Sequence, residues 1–328
     1  MDSILVIGSN SFSGASFVDF ALSQGTRVVG TSRSIEVVEA FSPYKWHDHK
    51  NFEFNKIDLN HNLADLKELI GEFRPEYVVN FAAQSMVGES WSNPSDWFMT
   101  NTVSTIKLHD ELRKCDFLKK YVHVTTPEVY GSCSGFVKEN FPFNPSTPYA
   151  VSRAAADMSL RTFCSTYNFP AVSTRAANVY GPGQQLYRII PRAILFVILG
   201  RKIQLHGGGA STRSFIHIHD VCDATWKIMK GGNNGDTYHI STNEIISIRK
   251  LVEKICQKLG VNFDRYVEIV GDRLGKDSAY HLDSNKLRQE LGWSDTLNLD
   301  QGIDDCIEWV EKNLETLKNQ PFDYIHKP

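Results

Sequence analysis

Residues 4–14 read ILVIGSNSFSG, an apolar run that ends in a glycine-rich turn. The run predicts a buried strand, and the residues near 14–24 predict a helix directly behind it. A helix that begins at such a turn points its N–H groups and its positive dipole end at an anion. Glycines after a strand often make only a turn, but this context favours a dinucleotide pyrophosphate site formed by Gly8, Asn10, Ser11, Phe12, Ser13 and Gly14, with Ser11 at the middle position of the glycine spacing.

Outward from this stretch, short apolar runs alternate with helical patterns. The runs span 4–8, 27–31, 52–58, 77–83, 121–126 and 171–177, and the helical patterns lie near 14–24, 62–73, 96–114, 149–167, 189–199, 247–259 and 299–315. Repeated β-α-β units with apolar strands predict a parallel sheet covered on both faces. The fold class is therefore α/β, a Rossmann-type doubly wound parallel sheet with a smaller C-terminal substrate-binding α/β region. We expect residues 1–177 and 214–246 in the dinucleotide-binding domain, and 178–213 and 247–328 in the second domain.

Composition excludes some classes of protein. The 328 residues contain 35 Lys and Arg against 38 Asp and Glu, with no basic run, which argues against a general nucleic-acid binder. The six cysteines form no C-x-x-C pair and the opening MDSILVIG lacks signal-peptide features, so we expect a cytoplasmic protein with reduced thiols. The apolar stretch 189–200 is too short to span a bilayer, and we expect a buried or half-buried helix there and no membrane partner.

The end of the second predicted strand, GTSRS (30–34), bears on the choice of cofactor. An NAD site usually has an acidic residue there to bind the ribose diol, and this chain has none. Ser32 and Arg33 instead offer donors for a 2′-phosphate, which favours NADP, with NAD as the alternative. Arg33 can also be a solvated loop cation. Asp58, after the third strand, is placed either to meet the adenine amine or to cap the following helix.

Two further patterns carry candidate chemistry. Tyr149 and Arg153 lie four residues apart on a predicted helix, and a phenol needs a nearby cation to lose its proton near neutral pH. The stretch VHVTTPEVYG (122–131) brings Thr126 and Glu128 to the end of a buried strand. A surface Tyr/Arg pair and a strand-end carboxylate in a turn are the plainer alternatives.

These landmarks together resemble the extended short-chain dehydrogenase/reductase family, and within it the nucleotide-sugar 4,6-dehydratases. The resemblance runs from residue 4 to about 293 and is carried by GSNSFSG, NFAAQSMVGES (80–90), VTTPEVYG, TPYAVSR, RAANVYGPGQ (175–184), RSFIHIHDV (213–221) and DRLGKD-AYHLDSNKLRQELGW (272–293). The AAQSMVGES segment and the basic end of the second strand look most like GDP-mannose 4,6-dehydratases. A nucleotide-linked N-acetylglucosamine substrate, as in pathways to legionaminic acid, is a further possibility that the resemblance raises.

The resemblance implies roles for individual residues. Tyr149 removes the proton of the sugar 4-hydroxyl as hydride leaves C4, Thr126 holds that hydroxyl, and Glu128 takes the C5 proton. The remaining implied contacts are, for the cofactor, Leu59, Ala82, Ala83, Gln84, Asn101, Tyr149 and Arg153, and for the sugar nucleotide, Gln84, Ser85, Asn178, Arg188, Gln204, Arg213 and Arg273. Homodimers or homotetramers are expected by analogy with the family, whose dimers form through the helices near 96–114 and 149–167.

Two positions depart from the family pattern. Arg153 stands where the family has lysine; it keeps the charge but cannot readily release a proton. Pro127 stands where many members have an aspartate that protonates the leaving C6 hydroxyl, so Glu128 must also deliver that proton. A decarboxylase or 4-epimerase on the same fold remains an alternative, as does a non-catalytic NADP-binding sensor. The H-I-H stretch (217–219), read as a strand, puts two histidines on one face, but no third ligand is evident and we expect no metal.

Overall fold

The computed structural model describes residues 1–271 and 281–327. The strands there are β1 (Ser3–Ile7), β2 (Arg27–Ser32), β3 (Phe52–Lys56), β4 (Tyr77–Asn80), β5 (Lys120–Thr125), β6 (Phe136–Val137), β7 (Ala171–Ala176), β8 (Asn178–Tyr180), β9 (Ile203–His206), β10 (Thr212–Arg213), β11 (Phe215–His217), β12 (Thr237–Ile240), β13 (Ile246–Ser247), β14 (Val267–Val270) and β15 (His281–Leu282). The α-helices are α1 (Phe12–Ser23), α2 (Leu63–Phe73), α3 (Pro94–Phe98), α4 (Thr105–Leu112), α5 (Pro148–Tyr167), α6 (Ile189–Ile198), α7 (Ile218–Gly231), α8 (Ile248–Lys258), α9 (Phe263–Tyr266), α10 (Asn285–Leu291), α11 (Leu299–Lys312) and α12 (Leu314–Leu317).

A seven-stranded sheet with the order β12-β7-β5-β4-β1-β2-β3 organises the molecule, and every neighbouring pair in it is parallel. This confirms the predicted doubly wound α/β fold. The chain builds outward from β1 to β3, then returns and builds from β4 to β12 on the other side. The strand order therefore reverses between β1 and β4, and open α/β sheets bind ligands in the crevice at such a reversal.

Apolar side chains fill both faces of this sheet. One buried cluster packs α1 and α7 on the sheet through residues such as Phe17 and Ile228, and a second packs α2, α4 and α5 through residues such as Leu66. A third cluster joins α6, α8 and α11, with Ile194 and Leu251 among its fully buried members. The third cluster is the core of the smaller region, which the structure places at the carboxyl edge of the strands. The domain boundaries given above remain a prediction.

Three local expectations are settled by the structure. The predicted helix near 96–114 is broken into α3, a π-helical turn at Met99–Ser104 and α4. The strand reading of H-I-H is wrong, because β11 ends at His217 and α7 begins at Ile218; the His217 side chain accepts the N–H of His219 and caps that helix. The apolar stretch 189–200 does form a largely buried helix, α6.

No helix among the described residues is both long and apolar enough to cross a membrane.

Candidate active site

The loop between β1 and α1 has the backbone that a dinucleotide site requires. Gly8 adopts φ +84°, and a Cβ at that position would lie 2.6 Å from the backbone nitrogen of Ala82. A Cβ on Gly14 would lie 2.2 Å from the carbonyl oxygen of Gly8. Ser11 caps α1, since its hydroxyl accepts the N–H of Gly14 at 3.1 Å and donates to the Gly8 carbonyl at 2.7 Å. The serine in place of the middle glycine therefore ties the loop to the helix that follows it.

A cavity of about 1150 Å³ opens above this loop, between the carboxyl edge of the sheet and the smaller region. Nearly all of the site residues expected from the sequence lie in its wall. They are Gly8, Asn10, Ser11, Phe12, Ser13, Ser32, Arg33, Asp58, Leu59, Ala82, Ala83, Gln84, Ser85, Thr126, Glu128, Tyr149, Arg153, Asn178, Arg188, Gln204 and Arg213. One cavity thus joins the residues expected at the cofactor with those expected at the sugar nucleotide.

Two of the described residues that were predicted for the site, Gly14 and Asn101, stand apart from the wall. Gly14 lies behind the loop, where it allows α1 to approach Gly8. Asn101 is fully buried; its side chain accepts the N–H of Gln84 at 2.9 Å and donates to the Gln84 carbonyl at 3.0 Å. Asn101, which belongs to the π-helical turn, therefore holds the backbone of a wall residue in the loop after β4. Arg273 lies outside the described residues.

At the β2 end of the cavity, Ser32 and Arg33 are both engaged within the protein. The hydroxyl of Ser32 accepts the N–H of Asn10 at 2.9 Å, and Arg33 donates through Nη1 to the carbonyl of Lys327 at 2.9 Å. Asp58 accepts the N–H of Asn60 at 2.7 Å, so it closes the turn after β3 while it faces the cavity. Its carboxylate does not cap α2, whose N-cap residue is Asn62.

Helix α5 brings Tyr149 to the cavity opposite Thr126. The helix is capped by Thr147, whose hydroxyl accepts the N–H of Ala150 at 3.1 Å, and Pro148 occupies its first position, where no N–H is needed. Tyr149 is 8% exposed, and the Thr126 side chain is near enough to its phenol to lower the pKa of that group. The phenol and the threonine hydroxyl are therefore positioned together by the start of α5 and the end of β5.

Burial determines the acidity of this phenol. Burial, reinforced by the negative charge of Glu128, raises the pKa of Tyr149 to about 12. The positive charges of Arg153 and Arg188 and the contact with Thr126 act to lower that pKa. Arg153 thus acts on the phenol in the expected direction, but burial outweighs it, because removing a charged phenolate from water costs more than one neighbouring cation returns.

Arg153 does more than supply charge. It is 2% exposed, and its Nη2 donates to the carbonyl of Val124, near the end of β5. Its Nε is buried and has no hydrogen-bond partner in the part of the chain that the structure describes. The guanidinium thus ties α5 to the strand that carries Thr126, and a buried donor beside the cavity is left for a ligand oxygen.

Glu128 lies in a short 3₁₀ turn, Pro127–Tyr130, that follows β5. Thr126 caps this turn, accepting the N–H of Glu128 at 3.3 Å. Proline at the first position of the turn fixes φ where its missing N–H leaves no donor unsatisfied. The carboxylate of Glu128 is partly buried, and its negative charge raises the pKa of Tyr149, so the charge states of the two groups are coupled.

Sequence reasoning missed a charged network behind this wall. Arg175 and Asp157 form an ion pair at 2.7 Å, with both side chains 3% exposed. Thr125 donates to the same carboxylate at 3.1 Å, and His123 lies 3.2 Å from its other oxygen. Burial acts to raise the pKa of Asp157, but Arg175, His123 and Arg153 outweigh it and hold that pKa well below its usual range. The sequence did contain a signal for this network: two apolar strands each hold an ionisable residue, and Asp157 follows Arg153 by four positions.

The smaller region supplies cations to the far end of the cavity. Arg188 is the residue before α6, and its guanidinium lies 5.4 Å from the centre of the Tyr187 ring. Arg213 on β10 donates to its neighbour's carbonyl, that of Thr212, at 2.7 Å. Asn178 begins β8, which pairs with β11 in parallel. These elements place two guanidinium groups and an amide on one wall, a composition suited to a diphosphate.

Comparison with known proteins places this geometry among related enzymes. The family described as GDP-mannose 4,6 dehydratase matches residues 5–306. The chain is 31% identical to a dTDP-glucose 4,6-dehydratase of Xanthomonas campestris pv. campestris, over 94% of this chain and 93% of that protein. It superimposes with a TM-score of 0.88 on the dTDP-glucose 4,6-dehydratase of Bacillus anthracis in complex with NAD, at 30% identity over 97% of this chain and 99% of that one.

The same fold also serves another reaction. The UDP-glucose 4-epimerase of Thermotoga maritima, solved with UDP-glucose, superimposes with a TM-score of 0.87 at 25% identity, covering 95% of this chain and 99% of that one. The scaffold alone therefore does not separate dehydration from epimerisation, and the separation has to come from the side chains in the cavity.

Proposed function

This chain belongs to the GDP-mannose 4,6-dehydratase family, and from that membership we propose a specific reaction for it. It is a nucleotide-sugar 4,6-dehydratase, which converts a nucleotide-linked sugar to its 4-keto-6-deoxy form. We propose that the sugar is a GDP-linked hexose or N-acetylhexosamine and that the cofactor is NADP.

One observation supports the dehydratase most directly: Thr126, Glu128 and Tyr149 lie in the wall of one cavity together with the dinucleotide loop. A carboxylate near the phenol is what water loss requires, because a base must remove the C5 proton once C4 is a ketone. The glycine cradle at Gly8 and the unpartnered buried Nε of Arg153 suit a dinucleotide at that wall.

The proposed steps assign each proton to a residue of this chain. A nicotinamide dinucleotide held at the Gly8 loop and beside Arg153 would supply the acceptor for the C4 hydride and the donor of that hydride to C6. Tyr149 accepts the 4-hydroxyl proton while Thr126 holds the oxygen. Glu128 then takes the C5 proton and passes it to the departing C6 oxygen, which leaves as water. When C6 receives its hydride, C5 is protonated again by way of Glu128 with the proton that Tyr149 took from the 4-hydroxyl, which returns both residues to their starting states. Arg153 lowers the free energy of the phenolate by its charge and keeps α5 against β5.

The preference for NADP is supported by the end of β2. Ser32 and Arg33 face the cavity, and residues 30–34 contain no carboxylate to bind a ribose diol. The solved relative from Bacillus anthracis contains NAD, so the preference is a proposed departure of this chain. An Arg33→Ala variant is expected to lose about tenfold or more in NADP⁺ affinity, with NAD⁺ affinity changed by less than twofold.

The GDP-sugar assignment rests on the AAQSMVGES segment, whose Gln84 and Ser85 face the cavity beside the cofactor loop. Arg188 and Arg213 on the opposite wall suit the diphosphate of any nucleotide sugar and do not choose the base. A nucleotide-linked N-acetylglucosamine is the alternative substrate, and it would connect the enzyme to legionaminic acid formation. A panel of GDP-, UDP-, dTDP- and CDP-sugars, followed by mass spectrometry, tests this proposal.

The product mass separates the reaction classes. Loss of one water from a sugar nucleotide supports the dehydratase, loss of carbon dioxide indicates a decarboxylase, and an unchanged mass with an inverted C4 indicates an epimerase. Tight cofactor binding with no turnover on any sugar would favour the non-catalytic sensor.

The Glu128→Gln variant tests the role of the carboxylate. It is expected to abolish water loss while still reducing part of the bound cofactor, because the first step uses Tyr149. Glu308→Gln, an exposed position on α11, is the matched control and should retain wild-type turnover. Full turnover by Glu128→Gln would contradict the assignment.

We also propose that the enzyme is a homodimer or homotetramer that assembles through the segment 96–114 and α5. Met158 and Val151 on α5 are 55% and 39% exposed, and Met99 and Val103 in the preceding π-helical turn are 45% and 39% exposed. Apolar side chains of this size on one face are characteristic of a subunit interface. Light scattering of the purified protein tests the assembly.

A further inference from the structure

Residues 320–327, called the strap here, form a segment without helix or strand, and most of them line the cavity. Exposure alternates along them, with Phe322, Tyr324 and His326 half-buried between exposed neighbours. These three rings are therefore the side chains that pack against the protein. Several strap residues, among them Tyr324 and Lys327, line the cavity.

The first ring fixes the strap to the smaller region. Phe322 packs edge-on against Phe196 of α6 with ring centres 5.5 Å apart, and the Arg201 guanidinium lies 4.8 Å from the Phe322 ring. Arg192 of α6 donates to the Phe322 carbonyl and forms an ion pair with Asp323. The strap therefore begins on α6.

The other two rings carry the strap to the Rossmann side. Tyr324 packs edge-on against Tyr187 at 5.5 Å. His326 stacks on Trp97 of α3 with ring centres 5.0 Å apart and an interplanar angle of 14°, and its Nε2 lies 2.8 Å from a carboxylate oxygen of Asp96. The strap thus bridges the two regions that enclose the cavity.

Between these anchors the strap contacts two residues of the proposed cofactor site. The Lys327 carbonyl accepts Nη1 of Arg33 at 2.9 Å and Nε2 of Gln84 at 2.7 Å. The Tyr324 hydroxyl donates to Oε1 of Gln84 at 3.4 Å. Gln84 is 2% exposed, with its backbone already fixed by Asn101, so the strap completes the set of bonds that orient it.

We propose that the strap sets the preference of this enzyme for NADP over NAD by positioning Arg33, an inference that rests on the dinucleotide site proposed above. A guanidinium has five N–H donors, so it can bond a backbone carbonyl and a 2′-phosphate at the same time. Holding the long side chain in place before binding reduces the entropy lost when the phosphate arrives. NAD lacks that phosphate, and its binding does not draw on Arg33. Tyr324 and His326 are therefore positioning residues for cofactor choice.

The test measures dissociation constants of NADP⁺ and NAD⁺ by calorimetry on nucleotide-free full-length protein. The double variant Tyr324→Phe, His326→Ala removes the bond to Gln84 and the anchor on α3. We expect its dissociation constant for NADP⁺ to rise about threefold to tenfold, as the loss of one or two hydrogen bonds implies, with that for NAD⁺ changed by less than twofold. The matched control is Tyr167→Phe, at the exposed end of α5, which should leave both constants unchanged.

The outcomes separate the strap from the site. An equal loss for both dinucleotides, no change, or tighter NADP⁺ binding once the strap is loosened would each overturn the proposal, the last because it would mean that Lys327 competes with the phosphate. Thermal melting confirms that the variants fold, and Tyr324→Phe alone repeats the test with a smaller change. Wild-type protein that binds neither dinucleotide would contradict the proposed function as well.

A separate cluster on the other side of α1 carries a second, independent inference. Oδ1 of Asp19 lies 3.0 Å from Nδ1 of His47 and 2.9 Å from Nε2 of His49. One atom from each of the three residues lies within 4.8 Å of the other two. Asp19 belongs to α1, whereas the histidines lie in the segment between β2 and β3, so the cluster joins two distant parts of the chain.

We infer that these three side chains form a site for a divalent transition metal of the zinc class. Two imidazoles and a carboxylate are ligands that Zn²⁺ accepts, with water left for a fourth position. Neighbouring ligands of a tetrahedral ion with bonds of about 2 Å lie roughly 3.3 Å apart, so the two nitrogens would have to move only a few tenths of an ångström from Oδ1 of Asp19 to admit the ion. The ion would fasten the segment before β3 to the helix behind the dinucleotide loop.

Calorimetry of untagged, chelator-treated protein with ZnCl₂ alone tests this site. We expect one equivalent bound per chain, and a loss of affinity of at least tenfold in His47→Ala and in His49→Ala. Co²⁺ in place of Zn²⁺ should give the visible absorption of a tetrahedral ion. The matched control His61→Ala, an exposed histidine outside the cluster, should bind as wild type does. No binding, or binding that survives both substitutions, would show that the three residues form only hydrogen bonds.

Discussion

Replacing Asp157 by asparagine is expected to destabilise the protein by about 3–5 kcal/mol. The ion pair with Arg175 is 2.7 Å long with both side chains 3% exposed, so the substitution leaves a buried guanidinium without its counter-charge, and removal of one partner from such a pair costs about that much. Asparagine can still accept a hydrogen bond from the Thr125 hydroxyl, so we expect a loss of stability near the lower end of that range. Arg74 and Asp116 form the contrasting pair, 3.2 Å long with side chains 58% and 86% exposed, and Asp116→Asn is expected to cost less than about 1 kcal/mol.

Urea unfolding monitored by the fluorescence of the six tryptophans provides the assay. The pKa of Asp157 is lowered in the folded protein, so its contribution is fully present above the ordinary value of 3.8 and is lost as pH falls below it. The stability difference between wild type and Asp157→Asn should therefore be constant from about pH 5 to pH 8 and shrink at more acidic pH. A loss below about 1 kcal/mol at pH 7, equal to that of Asp116→Asn, would refute the reasoning from burial.

Substitutions in three further parts of the protein have expected outcomes. Gly14→Ala should cost about 1–3 kcal/mol in thermal melts, since its Cβ would lie 2.2 Å from a backbone oxygen, whereas Gly71→Ala has nothing within 4 Å and should stabilise α2 by about 0.5–1 kcal/mol. Arg153→Met should raise the pKa of Tyr149, shift the acid limb of the kcat profile to higher pH and reduce kcat at pH 7 at least tenfold, while Arg153→Lys keeps the charge and most of the rate. Met158→Glu should convert the proposed dimer to monomers in light scattering, and an unchanged mass would place the interface elsewhere.

The parts of the fold that were predictable from the sequence are those set by neighbouring residues. The strand, turn and helix at 4–23 follow from local periodicity and from glycines at 8 and 14, and the parallel sheet follows from repeating that unit. The strand interpretation of H-I-H failed because β11 pairs with β8 and stops at His217, and that pairing joins residues far apart in the chain. The π-helical turn at 99–104 was equally invisible, since the hydrogen bonds of Asn101 within it go to Gln84 and Ser152, which are distant in sequence.

The candidate site divides in the same way. Thr126, Glu128, Tyr149 and Arg153 stand in recognisable motifs, and the structure brings all four to one wall. The ion pair of Asp157 with Arg175, the strap and the Asp19 cluster each join segments with no shared motif. Single buried charges and alternating aromatic residues look ordinary in a sequence until tertiary structure supplies their partners.

The two departures from the family pattern limit which residues can exchange protons with the sugar. Pro127 has no proton to give, and Arg153 holds its own too tightly to release one. Among the described side chains of the proposed catalytic set, Tyr149 and Glu128 are therefore the two that can exchange protons with the sugar. Tyr149 takes and returns the 4-hydroxyl proton, and Glu128 takes the C5 proton and passes it on. The negative charge of Glu128 raises the pKa of Tyr149, so a doubly charged pair is disfavoured. Once Tyr149 has taken the 4-hydroxyl proton, that repulsion is gone, and Glu128 remains the charged base that the C5 proton requires.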